Sequence, residues 1–181
     1  MVKISELEVG TVLKYEFGPV ERKGITKYAF ASGDRNNIHT NDEFAEEMGL
    51  KGVIAHGLYS FSMVARCLEE ISGDDGQIVK IGGQMRGMVR PGDMWLITLT
   101  VTAINGDLVD FNFIEQSKTP IKITKDGQVV KEFEAETRGW ITEKDVAKDF
   151  IKTEEVAEGT HHFRLRTAIP GTATLRMVNG N

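Results

Sequence analysis

The chain has 181 residues, 40% of them hydrophobic, enough for one domain with a sizeable core. A formal charge of −5 and a pI near 5.5 exclude a general nucleic-acid or anionic-membrane surface, though a local basic patch can still receive a phosphorylated cofactor. The lone Cys67 excludes an intramolecular disulfide, and with neither a secretory leader nor an apolar segment of bilayer length to read, a reducing cytoplasm is the expected location.

Thr11 to Phe17 reads as a short strand, and Gly24 opens a helical stretch through Tyr28 and Phe30 toward Gly33. Asn41 to Gly49 carries a capping residue, acidic residues in its first turn and a terminal glycine, the start and stop signals of a short helix. Leu58, Phe61, Val64, Ala65, Leu68 and Ile71 then repeat at three and four residues, one apolar face of the longest helix, which ends near Ser72-Gly73. Gln77 to Val89 reads as a strand. Beyond it Ile97, Leu99, Val101 and Ala103 alternate with threonines, a strand buried on one face. Asn105-Gly106 predicts a hairpin returning through Val109, Phe111 and Phe113, and Asp126-Gly127 predicts a second. A last run from Val129 to Ile141 closes the series. About four long antiparallel strands around one helix make an α+β arrangement.

Chemistry concentrates in Phe30-Ala31-Ser32-Gly33-Asp34-Arg35-Asn36-Asn37-Ile38-His39, where a carboxylate and an imidazole stand five residues apart among small and polar neighbours. Together they make an acid/base pair able to activate a water molecule. An aspartate with a histidine that titrates near neutrality shuttles one proton between two neighbouring positions. Ala55-His56-Gly57-Leu58 follows, with a glycine at a helix start, where free backbone N–H groups suit a developing oxyanion.

The order Ser-Gly-Asp-x-Asn-x-Ile-His followed by Ala-His-Gly-Leu resembles the hydratase motif of MaoC-like, R-specific enoyl-CoA hydratases, and the resemblance spans roughly Val9 to Trp140. It implies a hot-dog fold, a curled antiparallel sheet wrapped around a long central helix, paired as a homodimer or higher homo-oligomer. It implies that Asp34 and His39 activate the water and that the Gly57 N–H receives the thioester oxygen. Asn36 matches the motif asparagine and fixes the loop through backbone or a catalytic side chain. His56 braces the helix entrance, and Ser62 stands where related enzymes carry a serine near the acyl pocket. Asn37 departs from the family's usual proline without removing a chemical group. The implied substrate is an acyl-CoA thioester, hydrated to the (R)-3-hydroxyacyl product or dehydrated in reverse. A (3R)-hydroxyacyl-ACP dehydratase and a hot-dog acyl-CoA thioesterase are the alternatives. No resident cofactor and no metal are expected.

Elsewhere the residues point to packing. Cys67 sits among apolar helix positions, and the adjacent His161 and His162 point to opposite faces of an extended segment. Lys80, Arg86 and Arg90 are candidates for coenzyme A phosphates, and Met85 and Met88 for an acyl-pocket lining. The expected division is a hot-dog domain over 1–142 and a C-terminal extension over 143–181, with a short exposed helix within Glu143 to Glu158 and an added hairpin around Pro170-Gly171 that covers a sheet edge or reaches a partner subunit.

Overall fold

The computed structural model describes residues 4–74 and 76–177. After a short 3-10 turn at Ile4–Glu6, the chain forms strand β1 (Val12–Phe17), helices α1 (Arg22–Ser32), α2 (Asp42–Glu47) and α3 (Gly57–Ser72), and strands β2 (Gln77–Gly83), β3 (Met94–Asn105), β4 (Leu108–Lys125) and β5 (Gln128–Glu132). Two short helices, α4 (Glu134–Thr137) and α5 (Glu143–Ala147), precede β6 (Ile151–Val156) and β7 (Gly159–Arg176). Among the described residues no helix is long and apolar enough to cross a membrane.

One antiparallel sheet runs in the order β1-β3-β4-β7-β2, with β5 added to β4 and β6 to β7. Twofold patterning selects its inner face: along β4, Val109, Phe111, Phe113, Glu115, Ser117, Thr119, Ile121 and Ile123 are all buried. Against that face α3 lays Val64, Cys67, Leu68 and Ile71, meeting Ile97, Leu99, Phe113, Ile169 and Leu175. Threefold and fourfold spacing on the helix thus meets alternation on the strands, and the sheet curls around α3 as the hot-dog arrangement requires. A second, smaller cluster of Ile121, Ala135 and Trp140 closes the far end.

Both hairpins form. In the first, Asn105 pairs with Leu108, so the two-residue loop is Gly106-Asp107, with Gly106 at φ 64°. Asp126 and Gly127, both at positive φ, make the second, as paired Asp-Gly loops do.

Three sequence expectations change. The strand read over Gln77 to Val89 leaves the ladder after Gly83, because Arg86 N–H and Gly87 N–H both turn to the Ala168 carbonyl. The run from Val129 to Ile141 is not one strand: β5 ends at Glu132 and α4 follows. Ala135 and Trp140 must face the same apolar cluster, and a turn ending on Gly139 at φ 62° achieves that for residues five apart. Finally, 143–181 is not an appendage to a finished sheet. Its short helix is present, but the hairpin is β6–β7 and not a turn at Pro170-Gly171: β7 runs straight through those residues and pairs with β4 on one side and β2 on the other, inside the sheet. A boundary at 142 would cut through the main core, to which Ile169 and Leu175 belong.

Candidate active site

Helix α1 ends because Gly33 takes the left-handed conformation at φ 80°, which turns the chain away from the helix axis. A relay of short-range bonds then sets the loop. Ser32 Oγ donates to the Tyr28 carbonyl at 2.7 Å and accepts from the Asp34 N–H at 3.3 Å. The Asp34 carboxylate accepts from the Asn36 N–H at 3.3 Å, and Asn36 Oδ1 accepts from the Ile38 N–H at 3.2 Å, opening the 3-10 turn Asn37–His39. Asn36 therefore works on backbone rather than on a catalytic side chain. Asn37 fits this turn without a proline, its carbonyl accepting from the Thr40 and Asn41 N–H groups.

His39 emerges at the end of the turn, 8% exposed. Its Nδ1–H donates to the Ile54 carbonyl at 2.8 Å, an acceptor with no proton to give, so Nε2 keeps its lone pair. Burial pushes the His39 pKa below the usual histidine range; the Ile54 bond and the Asp34 charge oppose the shift, and His56 adds to it. The imidazole is thus neutral at pH 7 and able to accept a proton.

His56, only 2% exposed, lies in contact with both neighbours. Its ring stacks on His39 with centroids 3.7 Å apart, and its Nε2–H donates to the Asp34 carbonyl at 3.0 Å, with the Tyr28 ring at 4.9 Å behind it. It occupies the N-cap of α3, so Gly57 is the first helical residue and its N–H has no acceptor within the helix. A Cβ at Gly57 would stand 2.8 Å from Met85 Cγ, leaving no room for a side chain there. Asp34, on the exposed loop, completes the group. One ligand atom each from Asp34, His39 and His56 lies within 4.8 Å of the others. Two imidazoles and a carboxylate are also a donor set able to hold a divalent cation.

Other candidates fall elsewhere. The Ser62 hydroxyl donates to the Tyr59 carbonyl at 2.7 Å, a bond within its own helix. Arg90 is buried: its guanidinium lies 4.7 Å over the Trp140 ring and donates to the Leu50 carbonyl at 2.7 Å, so it does not reach a phosphate. Arg86 is exposed and bound to Gln84, and Lys80 lies exposed on β2. Burial raises the Cys67 thiol to about 12, which makes it inert. His161 pairs with Glu154 at 2.9 Å and His162 with Thr124 at 2.9 Å, separate partners on separate strands. Met85 and Met88 stay exposed, and the Met85 side chain lies against Gly57.

The sequence missed the stacking of His56 on His39, for which the only signal is the recurrence of two histidines in two motifs that the fold brings together.

Among known proteins, residues of this chain align at 36% identity over 80 residues with the fatty acid synthase β subunit hexB of Dothistroma septosporum, covering 43% of this chain but only 4% of that much longer protein. The R-hydratase PhaJ1 of Pseudomonas aeruginosa, at 16% identity, superposes with a TM-score of 0.68 over 99% of this chain and 87% of that one. The (R)-hydratase of A. caviae involved in PHA biosynthesis, at 15% identity, gives 0.64 over 95% and 98%. These two likenesses carry the fold, the hot-dog arrangement of a curled sheet around a helix. The family model of the MaoC like domain matches residues 7–110, more than half of the chain and every residue of the Asp34, His39 and Gly57 constellation, and the chain belongs to that family.

Proposed function

We propose that the protein is a hydro-lyase that adds water to a trans-2-enoyl-CoA to give the (R)-3-hydroxyacyl-CoA, or removes it in the reverse direction. The observation that carries this reading is the state of His39: its Nδ1–H is committed to the Ile54 carbonyl, which leaves Nε2 as the nitrogen able to receive a proton from water, and a ring nitrogen lies within 4.8 Å of an Asp34 carboxylate oxygen.

Water held by Asp34 and His39 attacks C3 while its proton passes to the base. Electron density moves through C2 to the thioester oxygen, where the free N–H of Gly57 receives it, and the proton is delivered to C2 from the same side. Losing such a donor typically costs about 3 kcal/mol of barrier. The family membership and the R-hydratase fold of the structural relatives support the reaction class, and the acyl-CoA carrier and the R product extend it. The exposed apolar side chains of Leu58, Met85 and Met88 suit both an acyl chain and a second copy of the chain, consistent with a homo-oligomer whose mass light scattering reads directly.

Loss of the conjugated-thioester absorbance with crotonyl-CoA tests the proposal. Asp34→Asn and His39→Ala are expected to lower kcat by about a hundredfold or more. Release of free coenzyme A without hydration would instead favour a thioesterase, and turnover of crotonyl-acyl carrier protein alone would favour the carrier-protein dehydratase.

A further inference from the structure

We infer that the exposed face of α1 binds the nucleotide end of a coenzyme A thioester, with Lys23 and Lys27 on the phosphates and Phe30 as the platform for the adenine. The inference rests on the hydratase reading and adds to it the identity and seat of the carrier.

Lys23, Lys27 and Phe30 stand at i, i+4 and i+7, which places them along one side of the helix. They line, with Thr26 and Ala31, an open concavity of about 710 Å³. Phe30 is 62% exposed, and the Arg35 guanidinium lies 4.9 Å over its ring, so one face of an aromatic platform is already cation-capped and anion-attracting. A base stacked on such a ring and a phosphate beside such a guanidinium are the two contacts an adenosine phosphate makes.

Charge suits the same face. The chain carries −5 overall, and several basic groups are held by carboxylates: Arg22 and Arg138 bind Asp42, Lys118 binds Glu154, Arg66 binds Glu70. Lys23 and Lys27 make no ion pair and no hydrogen bond with any described residue. Two free ammonium groups plus Arg35, on a surface where carboxylates otherwise predominate, form a local site for a polyanion.

Position connects the patch to the chemistry. Helix α1 ends at Ser32 and delivers Asp34 into the site, so its axis runs from the lysines toward the reacting atoms. At 1.5 Å per residue, Lys27 lies about 8 Å and Lys23 about 14 Å behind Ser32, a stretch for the extended arm between thioester and phosphates.

The test compares crotonyl-CoA with crotonyl-pantetheine, which keeps the thioester arm and lacks the nucleotide, in wild type, Lys23→Glu/Lys27→Glu and Phe30→Ala. Wild type is expected to show a KM at least about tenfold lower for crotonyl-CoA, a preference that salt weakens; the lysine reversal removes it and Phe30→Ala narrows it, while kcat and the pantetheine KM stay put. Equal use of both carriers by wild type, or a preference that survives the lysine reversal, would overturn the inference. A lysine reversal that harms crotonyl-acyl carrier protein and spares crotonyl-CoA would overturn it in favour of a carrier-protein surface. Should no thioester be hydrated, calorimetry with coenzyme A still reads the face: binding lost in the reversal supports it, and binding unchanged overturns it, separately from the hydratase reading.

Discussion

His56 shows how a buried side chain serves a site through its neighbours. It holds the backbone of Asp34 by one nitrogen, lies flat against His39 and precedes Gly57 by one residue, so all three candidate residues lean on one ring. His56→Ala is expected to lower kcat more than tenfold with little change in KM, and His56→Gln, whose amide N–H restores the bond to Asp34, recovers part of it. The pH profile separates this role from general unfolding. Because burial is the largest cause of the lowered His39 pKa, opening the site in His56→Ala raises that pKa, and the acid limb of kcat/KM moves to higher pH. Wild-type kinetics in both variants, measured across pH 5 to 8, would contradict the assignment. At this scale Asp34, His39 and Gly57 are candidates that residue type and spacing offer, and the structure gathers the first two and the residue before the third into one cluster. Ser62 and Arg90 take partners that spacing does not show, a helix's own carbonyl and a tryptophan far along the chain.

Strand β4 carries a feature that its alternation does not explain. Glu115 occupies a core position at 0% exposure, between Phe113 and Ser117 on the inner face, and neither carboxylate oxygen has a partner among protein atoms. Burial raises its pKa to about 8, so the folded protein keeps it protonated at neutral pH. The folded pKa lies above the ordinary glutamate value near 4.3, so the unfolded chain releases this proton first. Stability from this group is therefore complete below about pH 4 and declines at up to about 1.4 kcal/mol per pH unit until pH rises past the folded pKa. Glu115→Met, close in volume and apolar, removes that slope; urea melts at pH 5.5 and 8.5 are expected to show the variant gaining on wild type at the higher pH. An unchanged difference between the two pH values would show that the carboxyl is not buried as described. Helices and hairpins were readable because caps, glycines and turn pairs are local signals. The end of β2 and the α4 turn were not, since both answer to distant partners, the Ala168 carbonyl and the Ile121–Trp140 cluster.

At the level of the whole molecule, the last strand belongs to the domain. β7 runs alongside β4 for most of its length and carries β2 on its other edge. Arg164 on β7 donates to the Trp140 carbonyl at 2.9 Å and to Thr119 at 3.1 Å, tying both apolar clusters to the sheet. Truncation after residue 142 is expected to abolish cooperative unfolding followed by near-UV circular dichroism, whereas an independent first domain would retain it. Sequence alone placed this segment outside the fold because alternation marks a strand without saying between which neighbours it inserts. The central claim is that Asp34 and His39 direct water to C3 and a proton to C2 of an enoyl thioester. Hydration of crotonyl-CoA in deuterium oxide, followed by NMR of the product, tests it most directly. A single deuterium at C2 with an R hydroxyl at C3, formed by wild type and lost in Asp34→Asn, is the expected result; crotonate and free coenzyme A, or product formation undiminished in that variant, would contradict it.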